Sequence, residues 1–459
     1  MDAPRGVPVE TVNCECCPRK APCPHCGKMA RRVKHLHRVV TSIAYHKVRK
    51  IQIHYGEYAA QCECCETFRT NPDEIVLAKA QYDNEVRAAV LERLIVDRMS
   101  VTGLRLQFQR DFYLNLSPGF IYDCVRDECA RLQMADQRRL TLANFSGVLC
   151  VDELHLGQFT LLLATDPVGD FPVAFALVSA NDKNHMNGFL TNLKNWGFAP
   201  KTVITDRSNL YPDLIRTLWE NAEHQLCVFH VYADINKAIL DALKRLRRGL
   251  ARKGNRGRKK RRGRPTKAQL RARKHASPNL KEQAAFVFKH RYLITKRRDD
   301  LTDEELEILE TMYRYLPDLK TLRGFADAIA NLFETDTTTH AACCRYHALT
   351  RNTDFQAIPE LAALFKWFDS KTFRQTTTYL NQPREIRTQA RTNNHVERCN
   401  RKVRFAEAVR YKWRQRRSLV RFMVLKLNFW WNQRFAEIAL DLTPPTKPPS
   451  HAKSRTTAL

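Results

Sequence analysis

The sequence predicts a multidomain α/β protein. A cysteine-rich metal-binding segment comes first, then a group of short helices, then a mixed-sheet core that carries a helical insertion. Three observations support this reading. Eight of the 15 cysteines lie before residue 66. Short apolar runs bounded by turn residues begin at Gly147 and give way to alternating helices and strands. The chain has 459 residues, 44% of them hydrophobic, which suits two to four domains with more than one sizeable core.

Charge narrows the partner. A formal net charge of +29 and a sequence pI of about 9.8 point to a polyanion. No apolar run approaches the roughly 18 residues of a transmembrane helix. Residues 1–10 are polar and carry no secretory leader pattern. Nucleic acid is therefore expected rather than a membrane surface, in a cytoplasmic, nucleoid-associated protein. The odd, N-terminally clustered cysteine count fits a reduced protein with a metal site better than a disulfide framework.

Residues 1–70 form the expected zinc-binding domain. Cys23-Pro-His-Cys26-Gly places two thiolates two residues apart, with a glycine that lets the chain turn around an ion. Cys62 and Cys65 repeat that spacing, and four thiolates suit a closed tetrahedral Zn²⁺ site. About 35 residues separate the pairs and include a β-like run over residues 48–53, as in a zinc ribbon. Cys14, Cys16, Cys17 and Cys64 remain unassigned, and His25 and His35 are further ligand candidates.

Residues 80–135 read as a helix-turn-helix DNA-binding domain. Val86, Ala89, Val90 and Leu94 recur with helical period, and Ser100 can cap a second helix. Ser117-Pro118 opens a third, with serine as N-cap and proline at the first helical position. That helix is the candidate recognition helix. Ile121, Cys124, Val125 and Leu132 form its apolar face, and Arg126 and Arg131 lie off it as candidate DNA contacts.

The core is expected in two parts, residues 145–243 and 391–440. Strands are predicted over residues 147–151, 159–164, 171–178, 202–205 and 225–229. Helices are predicted through residues 190–196 and from about Leu210. Residues 244–390 form a basic and helical insertion. Its first part, residues 244–274, has no Asp or Glu and carries glycines expected to break regular structure. Long helices are predicted over residues 394–414 and 419–438, and residues 441–459 read as a disordered tail.

Two acids end apolar strands: Asp152 after residues 147–151 and Asp206 after residues 203–205. Glu397 lies on a predicted helix whose buried stripe is Val396, Cys399 and Val403, with Arg401 and Arg404 on its own neighbouring face. Three carboxylates bind hard cations such as Mg²⁺ through oxygen, and two such cations promote phosphoryl transfer. Glu153 and Asp166 are rival acids near the first strand; Asp152 is preferred for its strand-end position.

Val151-Asp152-Glu153, Thr205-Asp206-Arg207, Cys227-Val228-Phe229-His230 and Asn394-His395-Val396-Glu397-Arg398-Cys399-Asn400-Arg401 together resemble the DDE transposases of bacterial insertion sequences. With the N-terminal knuckle and helix-turn-helix, the chain is most similar to the ISL three family, over roughly residues 14–430. The resemblance implies an RNase H-like catalytic core in which Asp152, Asp206 and Glu397 bind Mg²⁺ or Mn²⁺. It implies site support from Cys227, His230, Asn394, Asn400 and Arg401, with Arg404 toward DNA. The implied activity is cleavage of double-stranded DNA at the element's ends and joining of the 3′ ends to target DNA, by a homodimer or larger assembly. The alternative is a non-catalytic transposase-derived DNA-binding regulator. In the insertion, Arg262-Gly263-Arg264-Pro265 resembles an AT-hook core, which reads a narrow A·T minor groove; a nonspecific phosphate-binding loop is the alternative.

Overall fold

Two long strands organise the N-terminal segment in the computed structural model, which describes residues 7–60, 62–63, 66–70, 72–255, 279–409 and 414–441. Cys64, Cys65, Arg262 and Arg264 lie outside the described residues, as do the predicted tail beyond Asp441 and the end of the helix predicted to reach residue 414. The architecture is multidomain α/β, with mixed sheets flanked by helices. The chain divides into two units. The first comprises Met1–Leu140, His155–Phe159 and Arg401–Leu459; the second comprises Thr141–Leu154 and Thr160–Asn400.

In the first unit, β1 (Val9–Cys16), β2 (Lys20–Pro22), β3 (Met29–Ser42), β4 (Val48–Ala59) and β5 (Thr67–Arg69) form one sheet. Its order is β1-β4-β3-β2, with β5 also on β4. β1 runs parallel to β4, and β3 antiparallel to it. The buried residues of β4 change face along its length. Ile51 and Ile53 pack with Val40 and Val76, whereas Tyr58, an odd number of residues further on, packs with Ala21 and Ala30. Because strand side chains alternate, the two small cores lie on opposite faces of the sheet.

Gly56 sits where the change occurs. A Cβ there would lie 2.7 Å from the Tyr58 ring, which is fully buried and stacks on Phe68 at 5.3 Å. Gly56→Ala is expected to force that ring aside and destabilise the sheet by about 1–3 kcal/mol, read as a lower urea midpoint.

Three capped helices follow. α1 (Asn84–Ile95) begins at Asp83, whose carboxylate accepts from Val86 N, and buries Val86, Ala89, Val90 and Leu94. α2 (Val101–Phe112) is capped by Ser100 and ends at left-handed Tyr113 (φ 53°). α3 (Pro118–Arg131) has the predicted Ser117 cap and first-turn proline, and buries Ile121 and Cys124. A further helix, α4 (Met134–Ala143), follows without having been predicted. The long terminal helix, Arg416–Asp441, packs on this group: Arg421 O accepts from Cys129 Sγ at 3.4 Å, and Lys426 Nζ donates to Ile95 O at 2.9 Å. The latter places a buried cation at the carboxyl end of α1, where the helix dipole favours it.

In the second unit, β6 (Val148–Leu156), β7 (Phe159–Asp166), β8 (Phe171–Val178), β9 (Thr202–Thr205) and β10 (Glu223–Leu226) form a sheet of order β10-β9-β6-β7-β8. β7 and β8 are antiparallel; β9 is parallel to both β6 and β10. Leu161, Leu162, Leu163 and Ala164 are all buried in succession, as in a sheet covered on both faces. α5 (Lys183–Asn195), capped by Asp182, and α6 (Pro212–Leu218) connect the later strands.

Three boundaries differ from the sequence expectation, the first being that of β6, predicted over residues 147–151, which continues through Asp152 to Leu156. The strand predicted over residues 225–229 stops at Leu226, and α7 (Val228–Asn255) starts at once. Phe229 suggested a continuing apolar strand, but its ring is 55% exposed. α7 also runs through Gly249 and Gly254, where the insertion was expected to lose regular structure. A mid-helix glycine costs only about 1 kcal/mol, and the buried stripe Val231, Ile235, Ile239 and Leu243 offsets it. Residues 280–390 are mostly helical, as predicted, with capping boxes at Asn279/Glu282 and Thr302/Glu305. No helix among the described residues is long and apolar enough to cross a membrane.

Candidate active site

The register of β6 on β9 brings two acids to one end of the sheet. Cys150 pairs with Ile204 in parallel. Asp152 and Asp206 each follow two residues later, side by side just beyond the last β6–β9 pair; Asp206 follows the end of β9, whereas Asp152 lies inside β6, which continues to Leu156 rather than ending at the acid as the sequence suggested. Glu397 comes from the first turn of the helix Asn394–Val409.

That helix starts where it does because the segment before it is stitched to the sheet. Val228 N donates to Arg391 O at 3.0 Å, and Asn393 N to Cys227 Sγ at 3.4 Å. The Cys227 thiol donates in turn to Asn393 Oδ1 at 3.0 Å. From the next turn of the helix, Asn400 Nδ2 donates to Asp152 Oδ2 at 2.8 Å. Asp170, in left-handed conformation after β7 (φ 57°), accepts from Arg398 at 2.9 Å and lies 2.9 Å from His395 Nε2.

Asp206 is fixed through its main chain. Thr205 Oγ1 donates to Asp206 O at 2.8 Å. That hydroxyl also meets His224 Nε2 at 2.8 Å and has no second proton, so the imidazole is the donor. Burial pushes the His224 pKa down to about 4, which keeps the ring neutral. Asp206 Oδ1 accepts from Ser208 N at 2.9 Å.

Asp152 is electrostatically unusual. Burial, joined by the negative charges of Glu153, Asp206 and Glu397, pushes its pKa up to about 7. Between about pH 4 and pH 7 the folded protein therefore holds a proton that the unfolded chain has released. Stability from this group is present at low pH and lost as pH rises through 7. Asp152→Asn is accordingly expected to be more stable than wild type in metal-free buffer at pH 8, by about 4 kcal/mol at most. Urea titrations at a series of pH values should show the difference vanishing toward pH 4.

Around these acids, Glu397 Oε1, His230 Nδ1, Asn393 Nδ2 and Asn400 Oδ1 are buried without a hydrogen-bond partner. His230 Nε2 lies 3.7 Å from Glu397 Oε1, beyond hydrogen-bond range. Three mutually repelling carboxylates with an unpaired buried oxygen fit a divalent cation, whose charge would relieve the repulsion. They form no tight cage, however. Among the described residues, the groups of three metal-capable side chains within 4.8 Å of one another are Cys23, Cys26, Cys62 and Glu15, Cys17, His35.

The rival acids are occupied elsewhere. Glu153 accepts from Asn181 Nδ2 at 3.0 Å and from the Tyr211 hydroxyl. Asp166 is fully buried and accepts from the backbone of Ser146, Val168 and Gly169, closing the β7–β8 turn. Of the supporting residues, Asn394 is exposed, and it is its neighbour Asn393 that bonds Cys227. Arg401 is exposed. The other candidate DNA contacts carry acidic partners: Arg126 with Asp123 and Asp127, Arg131 with Glu128, and Arg404 with Glu407.

The N-terminal cysteines form a zinc-binding candidate. Cys62 Sγ lies 3.6 Å from Cys23 Sγ, close to the roughly 3.8 Å set by two tetrahedral Zn–S bonds. Gly27 (φ 75°) turns the chain back, with Gly27 N donating to Cys23 O at 2.9 Å. Backbone N–H groups of His25 and Cys26 push the Cys23 thiol pKa down to about 6, favouring the thiolate a metal needs.

Residues 149–420, more than half of the chain, match a family model described as transposase. The matched stretch contains Asp152, Asp206 and Glu397. No curated protein matches the chain.

Proposed function

Because the chain belongs to the DDE transposases, we propose that it binds the ends of a mobile DNA element, cleaves them and joins the freed 3′ ends to target DNA. The observation that carries this reading is that Asp152 and Asp206 lie side by side on adjacent parallel strands where their pairing ends, with Asp206 and Glu397 close enough to raise the Asp152 pKa. The sheet order, three strands followed by two parallel ones on the far side of β6, supports an RNase H-like core.

In this reading Asp152, Asp206 and Glu397 hold Mg²⁺ or Mn²⁺. Bound there, the cations would activate a water or a 3′-hydroxyl and stabilise the leaving oxygen. The chain's own groups prepare the site. Asn400 orients the Asp152 carboxylate, and the His224–Thr205 pair fixes the main chain at Asp206. Cys227 and Asn393 hold the start of the Glu397 helix, and His230 offers a second polar group beside Glu397. Arg401 serves the phosphate backbone.

α1–α3 act as the helix-turn-helix, with α3 as recognition helix. Arg126 and Arg131, themselves exposed, exchange their half-buried surface carboxylate partners, pairs worth about 0–1 kcal/mol, for DNA phosphates. Arg404 keeps its pair with the buried Glu407 and presents its remaining guanidinium N–H groups to phosphate. Arg262 and Arg264 add contacts from the basic insertion. Zinc held by Cys23, Cys26, Cys62 and Cys65 shapes the N-terminal domain. The domain limits remain those proposed from sequence, at residues 1–70, 80–135, 145–243, 244–390 and 391–440. Pairing of two DNA ends calls for at least a dimer on DNA.

The test is incubation of purified protein with the DNA that flanks its own gene. Mg²⁺-dependent nicks at the element ends, leaving 3′-hydroxyls that join a second DNA, are expected. Tight binding of the ends with no cleavage in Mg²⁺ or Mn²⁺ would favour the regulator instead.

A further inference from the structure

A second cluster of metal-ligating side chains lies on the N-terminal sheet, apart from the knuckle cysteines. Glu15, Cys17 and His35 present their ligand atoms within 4.8 Å of one another. Cys17 Sγ is already 3.1 Å from Glu15 Oε2. The sheet's register builds this cluster. Glu15 pairs with His54, and His54 pairs with His37, so these three side chains form one row across β1, β4 and β3. His35 pairs with Gly56, and the Tyr58 ring occupies the space over that glycine. Cys17 follows the end of β1 at Cys16, which pairs with Tyr55.

The loop after Cys17 is held in place. The Tyr58 hydroxyl donates to Pro18 O at 2.7 Å, and Arg32 donates to the Cys17 carbonyl oxygen. The histidines are organised as well: His35 stacks on His54 with ring centroids 5.1 Å apart, and His37 lies 5.0 Å from His54. His54 Nδ1 is buried with no hydrogen-bond partner. This row lies on the face opposite the core formed by Ile51, Ile53, Val40 and Val76, next to the smaller core of Tyr58, Ala21 and Ala30.

We propose that Glu15, Cys17 and His35 form a second metal site, taking a borderline divalent cation such as Zn²⁺. One thiolate, one imidazole and one carboxylate are the donor set such an ion accepts. Bond lengths of about 2.0–2.3 Å place tetrahedral ligand atoms roughly 3.3–3.8 Å apart, inside the 4.8 Å within which these ligand atoms already lie. Three protein ligands leave one coordination position open, and all three are at least partly exposed. The site is thus exchangeable, in contrast to a closed structural site. His54 backs His35 and limits its ring orientation, as an outer-shell partner does.

The experiment is equilibrium dialysis of the full chain against buffered micromolar free Zn²⁺, with metal content read by atomic emission. It compares wild type, Cys17→Ser, His35→Gln and Cys26→Ser, and follows far-UV circular dichroism for each. Wild type is expected to bind two equivalents. Cys17→Ser and His35→Gln should each lose one while keeping the wild-type spectrum, whereas Cys26→Ser, which removes the knuckle ion that holds the sheet, should lose both. If Cys17→Ser disturbs the spectrum, His35→Gln decides, because its ring lies on an exposed strand position. Binding of one equivalent by wild type, or a second equivalent that survives both substitutions, overturns the proposal.

Discussion

Asp206→Asn is expected to lower end cleavage and strand transfer by about 10³-fold or more, while leaving affinity for the element's DNA within about twofold. The substitution keeps the side chain's shape and its bond from Ser208 N, but removes one of the carboxylate charges that the cations require. DNA affinity rests mainly on the many Lys and Arg side chains, which the change does not touch. Asn400→Ala gives the scale for comparison. It removes only the bond that orients Asp152, so a loss of about 10–100-fold is expected, as for an outer-shell partner. Single-turnover cleavage with saturating protein separates these effects from binding. Equal rates for wild type and Asp206→Asn would remove Asp206 from the reaction.

Removal of zinc from the cysteine knuckle is expected to have the largest structural effect. The two cores of the N-terminal sheet are small, one built on Val40, Ile51, Ile53 and Val76, the other on Ala21, Ala30 and Tyr58. Structural zinc contributes on the order of 10 kcal/mol to the folding of small finger domains, comparable to the whole stability of an ordinary domain. A strong chelator, or Cys23→Ser, should therefore collapse amide-exchange protection across β1–β5. Protection of β7 in the second unit, with its fully buried Leu161 and Leu163, should persist. Affinity for element ends should fall at least about tenfold. Unchanged protection in β3 and β4 after complete metal removal would mean that the thiols are structural without an ion.

What the sequence disclosed follows from how local each signal is. The caps at Asp83, Ser100 and Ser117 depend on a few adjacent residues; the serine caps were read directly, and the apolar stripe of α1 matched residue for residue. β8 and β9 were legible because buried strands write themselves as continuous apolar runs. Asp152 and Asp206 stood out for the same reason, as charges that end such runs.

The less legible features depend on pairing between distant segments. Asn393 and Asn394 are indistinguishable in sequence; only the contact with Cys227, 166 residues away, selects Asn393. His224 gave no signal, since its role depends on β10 lying beside β9. The Glu15–Cys17–His35 cluster needs the parallel pairing of β1 with β4, which spacing alone cannot reveal. The start of α7 was missed because Phe229 is an exposed aromatic that reads as a strand residue.

The central claim is that Asp152, Asp206 and Glu397 hold catalytic cations in one shared site. Paramagnetic resonance of Mn²⁺ titrated into the zinc-loaded protein tests it most directly. The claim predicts bound Mn²⁺ in wild type, and at least about tenfold weaker binding in each of Asp152→Asn, Asp206→Asn and Glu397→Gln. Mn²⁺ affinity that is the same in wild type and all three variants would contradict it.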